Sequence, residues 1–198
     1  MPTARQIRLI GKPVVFVLAV LPLAWLIARA AGVGPGLGPN PIEALQDGLG
    51  IWALRLILIT LAITPLRLAL GKPWPLQFRR MLGLFAFTYA ALHFANYLLL
   101  DQTLLWSAIV EDIVKRPFIT VGFAAVVLLV PLAITSTTGW RRRLGKRWLV
   151  LHRAVYLIGI LACWHFWWQV KKDITEPAIY VAILTVLVGI RVWRRVTG

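Results

Sequence analysis

Apolar residues in this chain neither alternate with polar ones nor recur as a one-sided helical stripe; they fill whole stretches. Six such stretches, 13–31, 49–70, 81–100, 118–134, 148–168 and 178–196, are each about 15 to 22 residues long and are bounded by charged or turn-forming residues. An α-helix rises about 1.5 Å per residue and a bilayer's hydrocarbon core is about 30 Å thick. The pattern therefore predicts an all-α integral membrane bundle of six transmembrane helices, occupying residues 1–198 as a single domain. Pro22 and Pro65 interrupt the first two spans, and a neighbouring helix or a nearby threonine, Thr60 or Thr64 for Pro65, is expected to supply the missing hydrogen bonds. The segment GPGLGPNP at 34–41 is expected to be a stiff, turn-rich loop.

Composition agrees: 60% of the 198 residues are hydrophobic, which leaves almost nothing for a soluble domain. One cysteine, Cys163, excludes an internal disulfide and a cysteine cluster for zinc. No Gly-rich phosphate loop and no obvious repeat is present.

A net charge of +15 raises the question of nucleic acid, but the basic residues sit at helix ends and not on one solvated face, so no nucleic-acid partner is expected. With six spans, one side receives Arg5, Arg8, Lys12, Arg67, Lys72, Arg79, Arg80, Arg141, Arg142, Arg143, Lys146, Arg147, Arg153, Arg191, Arg194 and Arg195, which is 16 of the 22 Lys and Arg. All seven Asp and Glu fall on the other side. Lysine and arginine collect on the cytoplasmic side, so both termini are expected there, in a bacterial inner membrane. Several tryptophans, among them Trp52, Trp106, Trp140, Trp148, Trp168 and Trp193, lie near span ends, where an indole keeps its ring in lipid and its N–H at water. The N-terminal stretch also reads as a secretory signal ending at Ala28 to Ala30; cleavage there would leave five spans and all three histidines.

Those histidines, His93, His152 and His165, are the candidate chemistry. A span has no water to solvate an imidazole, and no span carries an Asp or Glu to pair with one, which removes the usual partners of a proton path. Neutral imidazole is, however, a metal ligand. The third and fifth spans run the same way, placing His93 about 20 Å and His165 about 26 Å above the cytoplasmic end, a pair at similar depth suited to bis-histidine haem. His152 lies near the inner face, without a histidine at its level. Arg79, fourteen residues before His93, shares its helical face, whereas the thirteen-residue step from His152 to His165 turns an ideal helix about 140° off a straight stack. Arg55, about six residues into the second span, either snorkels to the headgroups or meets a carboxylate such as a haem propionate. The basic segment at 141–147 anchors the inner face or meets an anionic lipid or cofactor phosphate.

The blocks RRMLGLFAFTYAALHF (79–94), KRPFITVGFAAVVLLVPLAITS (115–136) and LGKRWLVLHRAVYL (144–157), followed by WHFWW, resemble the ferric-reductase-like transmembrane family over nearly the whole length. In that family the third and fifth helices each carry two histidines that hold stacked b haems. This chain departs from the pattern at Arg79, where the wider family has its fourth histidine. An arginine has no lone pair for iron. The resemblance implies haem b, one or two per chain, with His93, His165 and His152 as ligands and Arg79 and Arg55 toward cofactor acids. It also implies FMN, a quinol or cytoplasmic flavin reductase as electron donor, and a periplasmic molybdopterin-containing methionine sulfoxide reductase as acceptor. The chain would then carry electrons and leave catalysis to that partner. Two other classes remain: a transporter or transporter subunit in which the histidines and Arg55 line a polar path, which paired carboxylates or broken helices at the midplane would mark, and a passive anchor, which would lack a haem spectrum.

Overall fold

The computed structural model describes residues 2–197, and the side chain of Arg195 is left out of the description. Every regular element among the described residues is helical. Six helices are long and apolar enough to cross a membrane: α1 (Ala4–Ala30), α2 (Pro41–Leu70), α3 (Arg79–Asp101), α5 (Pro117–Ile134), α7 (Lys146–Gln169) and α8 (Thr175–Thr197, apolar through Arg194). Two shorter helices, α4 (Trp106–Lys115) and α6 (Thr138–Leu144), lie between them. The chain forms two compact units, residues 1–101 and 102–198.

In the first unit α2 packs along α3 with α1 against them. The α1 helix starts from Thr3, whose hydroxyl accepts from the Gln6 N–H while the Gln6 side chain accepts from the Thr3 N–H. One wide turn, Ile7–Gly11, precedes Pro13. Such a turn absorbs a proline that cannot donate. Pro22 is accommodated differently. The Leu23 N–H donates to the Tyr89 hydroxyl at 2.8 Å, and that hydroxyl donates to the Ala19 carbonyl at 2.8 Å. Leu23 and Ala19 are a donor and acceptor four residues apart, so Tyr89 of α3 has inserted into the helical bond that the proline opens. Tyr89 is fully buried. The partner expected from a neighbouring helix is thus a tyrosine. An unmet buried group in its place would cost about 1–3 kcal/mol.

At Pro65 the outcome is different: Thr60 Oγ1 is buried without a hydrogen-bond partner, so Thr60 does not repair that helix. The expected loop spans the residues before Pro41, with Gly34, Gly36 and Gly38 at φ of +70°, +62° and +83°. Pro41 then begins α2, capped by the Asn40 side chain on the Glu43 N–H at 3.3 Å. The second span therefore starts eight residues before Leu49, where the hydrophobic run begins, and carries Glu43, Gln46 and Asp47 within the helix.

In the second unit α5 packs along α7, and α8 lies against α7. Amphipathic α4 buries Ile109 and exposes Trp106, Val110 and Val114. The Thr120 hydroxyl ties α5 to it through the Ile113 carbonyl at 2.5 Å. The fifth span is not one straight helix. It runs as Lys146–His152 and Ala154–Gln169, with a tight turn at Arg153, whose N–H donates to the Val150 carbonyl at 3.2 Å. Arg153 itself stays in the right-handed helical region, at φ −69° and ψ −20°, so the turn alters the 140° offset expected between His152 and His165 only locally.

Candidate haem-ligand sites

Arg55, Arg79 and His93 belong to the first unit, His152 and His165 to the second. His93 lies on α3, one turn before the wide turn Tyr97–Asp101 that ends it, and faces α2. Its Nδ1 is 2.9 Å from the Gln46 carbonyl oxygen. A carbonyl only accepts, so Nδ1 carries the proton and Nε2 the lone pair. Gln46 also approaches from its side chain, with the amide nitrogen 3.4 Å from His93 Nε2. Asn96 fixes that amide's direction: its Nδ2 donates to Gln46 Oε1 at 2.7 Å and to the Ile42 carbonyl at 3.2 Å. Asn96 is buried, and its bonds to α2 explain how a polar side chain is tolerated there.

His165 is held by the same kind of bond. Its Nδ1 lies 2.7 Å from the Phe118 carbonyl oxygen on α5. This again puts a proton on Nδ1, which in the neutral ring leaves the lone pair on Nε2. The side chain at this place is a ring and not an amide, with the Phe118 and His165 centroids 6.1 Å apart. In metalloproteins a ligating imidazole typically donates its other ring N–H to a carbonyl or carboxylate, which sets tautomer and orientation. His93 and His165 both meet that condition.

His152 does not share this arrangement. Its Nε2 is 2.9 Å from Thr135 Oγ1, and the Thr135 hydroxyl donates to the Pro131 carbonyl at 2.5 Å. With its one proton spent there, Thr135 accepts from His152, so Nε2 is the protonated nitrogen and Nδ1 carries the lone pair. Trp148 covers the ring, stacked at a centroid separation of 3.9 Å, and its indole N–H donates to the Thr135 carbonyl at 2.9 Å. The Arg141 guanidinium stands 5.8 Å from the Trp148 ring. This makes a small polar cluster at the start of the fifth span, beside the most basic segment of the chain. Of the two arginines singled out by sequence, Arg55 lies over the Trp52 ring at 5.0 Å. Arg79 is exposed at the first residue of α3.

Sequence reasoning named the histidines but not Gln46, Asn96, Phe118, Thr135 or Trp148 as their partners. The available signal was spacing. The acceptor precedes its histidine by 47 residues in both units.

Residues 49–163 match the model of the ferric reductase like transmembrane component. The chain belongs to this family. As a family member with six spanning helices, it is a multi-pass membrane protein. Three relatives are each named protein-methionine-sulfoxide reductase heme-binding subunit MsrQ. One from Xanthomonas axonopodis pv. citri is 51% identical over 95% of this chain and 88% of its own length. One from Xanthomonas campestris pv. campestris is 58% identical over 82% of this chain and 74% of its own. A third, from Rhodospirillum rubrum, is 52% identical over 92% of this chain and 87% of its own. The ferric-reductase-like match contains Arg55, Arg79, His93 and His152 and ends at Cys163, two residues before His165.

Proposed function

We propose that this protein is the haem-binding, electron-carrying membrane subunit of a methionine sulfoxide reductase system in the bacterial inner membrane. The observation that carries the reading is the shared setting of His93 and His165, each with Nδ1–H on a helix carbonyl and Nε2 bearing the lone pair. The donor set fits haem: two neutral imidazoles in apolar spans, each with its tautomer fixed. His93 and His165 would together hold one b haem. When bound, that group supplies one-electron redox chemistry. The protein supplies the ligand nitrogens, their orientation and exclusion of water.

His152 is assigned a separate role, as ligand of a second haem with an unusual sixth ligand or as part of a flavin or quinone site. Arg79 and Arg55 are the proposed donors to cofactor carboxylates or phosphates. The donor is a quinol or a cytoplasmic flavin reductase and the acceptor a periplasmic, molybdopterin-containing reductase; these assignments, and FMN, rest on the family resemblance. Sulfoxide reduction belongs to the partner.

Both termini are assigned to the cytoplasm from the placement of basic residues. Reporter fusions at residues 38, 108 and 173 are then expected to read periplasmic, and those at 74, 144 and 198 cytoplasmic; a periplasmic reading at 144 would reverse the assignment. The function itself is tested by the absorption spectrum of the purified full chain. The expected result is a Soret band, with sharp α and β bands on reduction, from a haem that the partner reductase reoxidises with methionine sulfoxide. A protein that inserts and folds but purifies without any Soret band would leave only the passive anchor or transporter readings.

A further inference from the structure

We propose that Gly50 and Gly122 are positioning residues for the two histidines, paired devices that fix the plane and tautomer of each imidazole by uncovering the carbonyl on which it is anchored. The proposal rests on the haem reading above and adds to it the residues that aim the ligands. In an α-helix each carbonyl spends one lone pair on the N–H four residues on, and the Cβ of that later residue leans back toward the helix N-terminus, over the same carbonyl. A side chain on a neighbouring helix reaches the second lone pair most easily if the residue four positions on has no Cβ. Gln46 is followed at that distance by Gly50, and Phe118 by Gly122.

The imidazoles occupy the space so created. A Cβ at Gly50 would stand 2.9 Å from His93 Cε1 and 3.0 Å from its Nδ1. At Gly122 it would stand 2.7 Å from His165 Nδ1, 2.8 Å from Cε1 and 3.2 Å from Cγ. These distances are below van der Waals contact, so a methyl at either place displaces the ring. The ring is tethered to the carbonyl one turn away, so it cannot retreat without stretching that bond and turning Nε2. Other glycines in the spans do not face a histidine: a Cβ at Gly48 would meet the Leu26 side chain at 2.7 Å, one at Gly11 the Phe78 ring at 3.1 Å and one at Gly83 Thr60 Cγ2 at an ordinary 3.8 Å, while one at Gly189 would meet nothing within 4 Å.

The same device occurs once in each unit, at a constant shift. Gln46 and Phe118, Gly50 and Gly122, and His93 and His165 are each 72 residues apart. Buried core positions follow the same shift, Ala53 with Ala125, Ile57 with Leu129 and Ala86 with Ile158. The α2–α3 and α5–α7 pairs are thus two copies of one histidine-presenting hairpin. No obvious repeat is visible in the sequence because the copies share few identities. They differ where it matters for tuning: the residue supplying the carbonyl is Gln46 in one copy, with its amide near His93 Nε2, and Phe118 in the other.

The test compares Gly50→Ala and Gly122→Ala with Gly189→Ala, each as the full chain in lipid nanodiscs, by haem content, ferric EPR and helical circular dichroism. Loss of a partner that orients a metal-bound histidine typically lowers metal affinity 10- to 100-fold, so a drop of about tenfold or more and a moved low-spin g value are expected for the first two, with helicity retained. Gly189→Ala is expected to match the wild type. Should either variant fail to fold, the wild type still decides: in the diamagnetic ferrous protein, the Nδ1–H protons of His93 and His165 are expected to exchange slowly with solvent. Wild-type haem affinity and EPR in both glycine variants, or fast-exchanging Nδ1–H protons, would overturn the proposal while leaving the haem reading intact. A wild type that binds no haem would sink both.

Discussion

Replacing His93 or His165 with alanine is expected to remove most of the low-spin haem signal from a chain that still inserts. Low-spin haem of this kind needs two strong nitrogen donors, and loss of one leaves a five-coordinate or empty site. Both histidines offer Nε2 from the Nδ1–H tautomer, with the tautomer set by the Gln46 and Phe118 carbonyls. Removing the imidazole does not remove the carbonyl, which keeps an intrahelical partner, so the cost to folding is small beside the loss at the metal. The measurement is haem stoichiometry with EPR of the oxidised protein, set against helicity as the control for folding. Full low-spin haem in both variants would refute the pairing.

His152→Ala is expected to leave that haem largely intact and to slow its reduction from the cytoplasmic side, by about tenfold or more if His152 supports a cofactor. The tautomer of His152 is reversed. His152 donates from Nε2 to Thr135, whose own proton goes to Pro131, and Trp148 stacks on its face. The ring is therefore set up unlike the other two, and presents the opposite nitrogen. Haem count separates the alternatives for this site. Two haems per chain falling to one supports a second haem with an unusual sixth ligand, whereas one haem before and after supports a flavin or quinone site. Loss of all haem from an inserted, folded His152→Ala protein would make His152 a ligand of the principal haem and break the assignment of His93 with His165.

The spans were legible because transmembrane apolarity needs no tertiary context. Once the termini of α2 and α7 are considered, the limits of that signal show. The helix α2 begins at Pro41, while the apolar run begins at Leu49, because Glu43, Gln46 and Asp47 dilute hydrophobicity without disfavouring helix. Gln46 thereby falls outside the span that the sequence predicts, and the anchor of His93 is hidden with it. The three histidines were legible as the costly residues of apolar spans. Their partners were not, since backbone carbonyls of Gln46 and Phe118 leave no mark in side-chain chemistry. Glycine at positions 50 and 122 was the remaining clue, and a glycine inside a span has several ordinary uses. The break at Arg153 has no proline or glycine to announce it, and only the folded chain reveals that His152 ends one helical segment and His165 belongs to the next.

Tyr89 bears on the order in which the protein is made. The Leu23 N–H that it satisfies is 66 residues upstream, in a span synthesised before α3. Until α3 has been synthesised and laid beside it, α1 carries an open turn at Pro22 within the apolar phase, where an unsatisfied donor and acceptor are costly. The first helix therefore enters the bilayer incomplete, and arrival of the third closes it. That same third helix carries His93, four residues beyond Tyr89. Biogenesis thus couples completion of α1 to delivery of a histidine: the residue that seals the earlier helix and the residue proposed to hold iron reach the membrane about one turn apart.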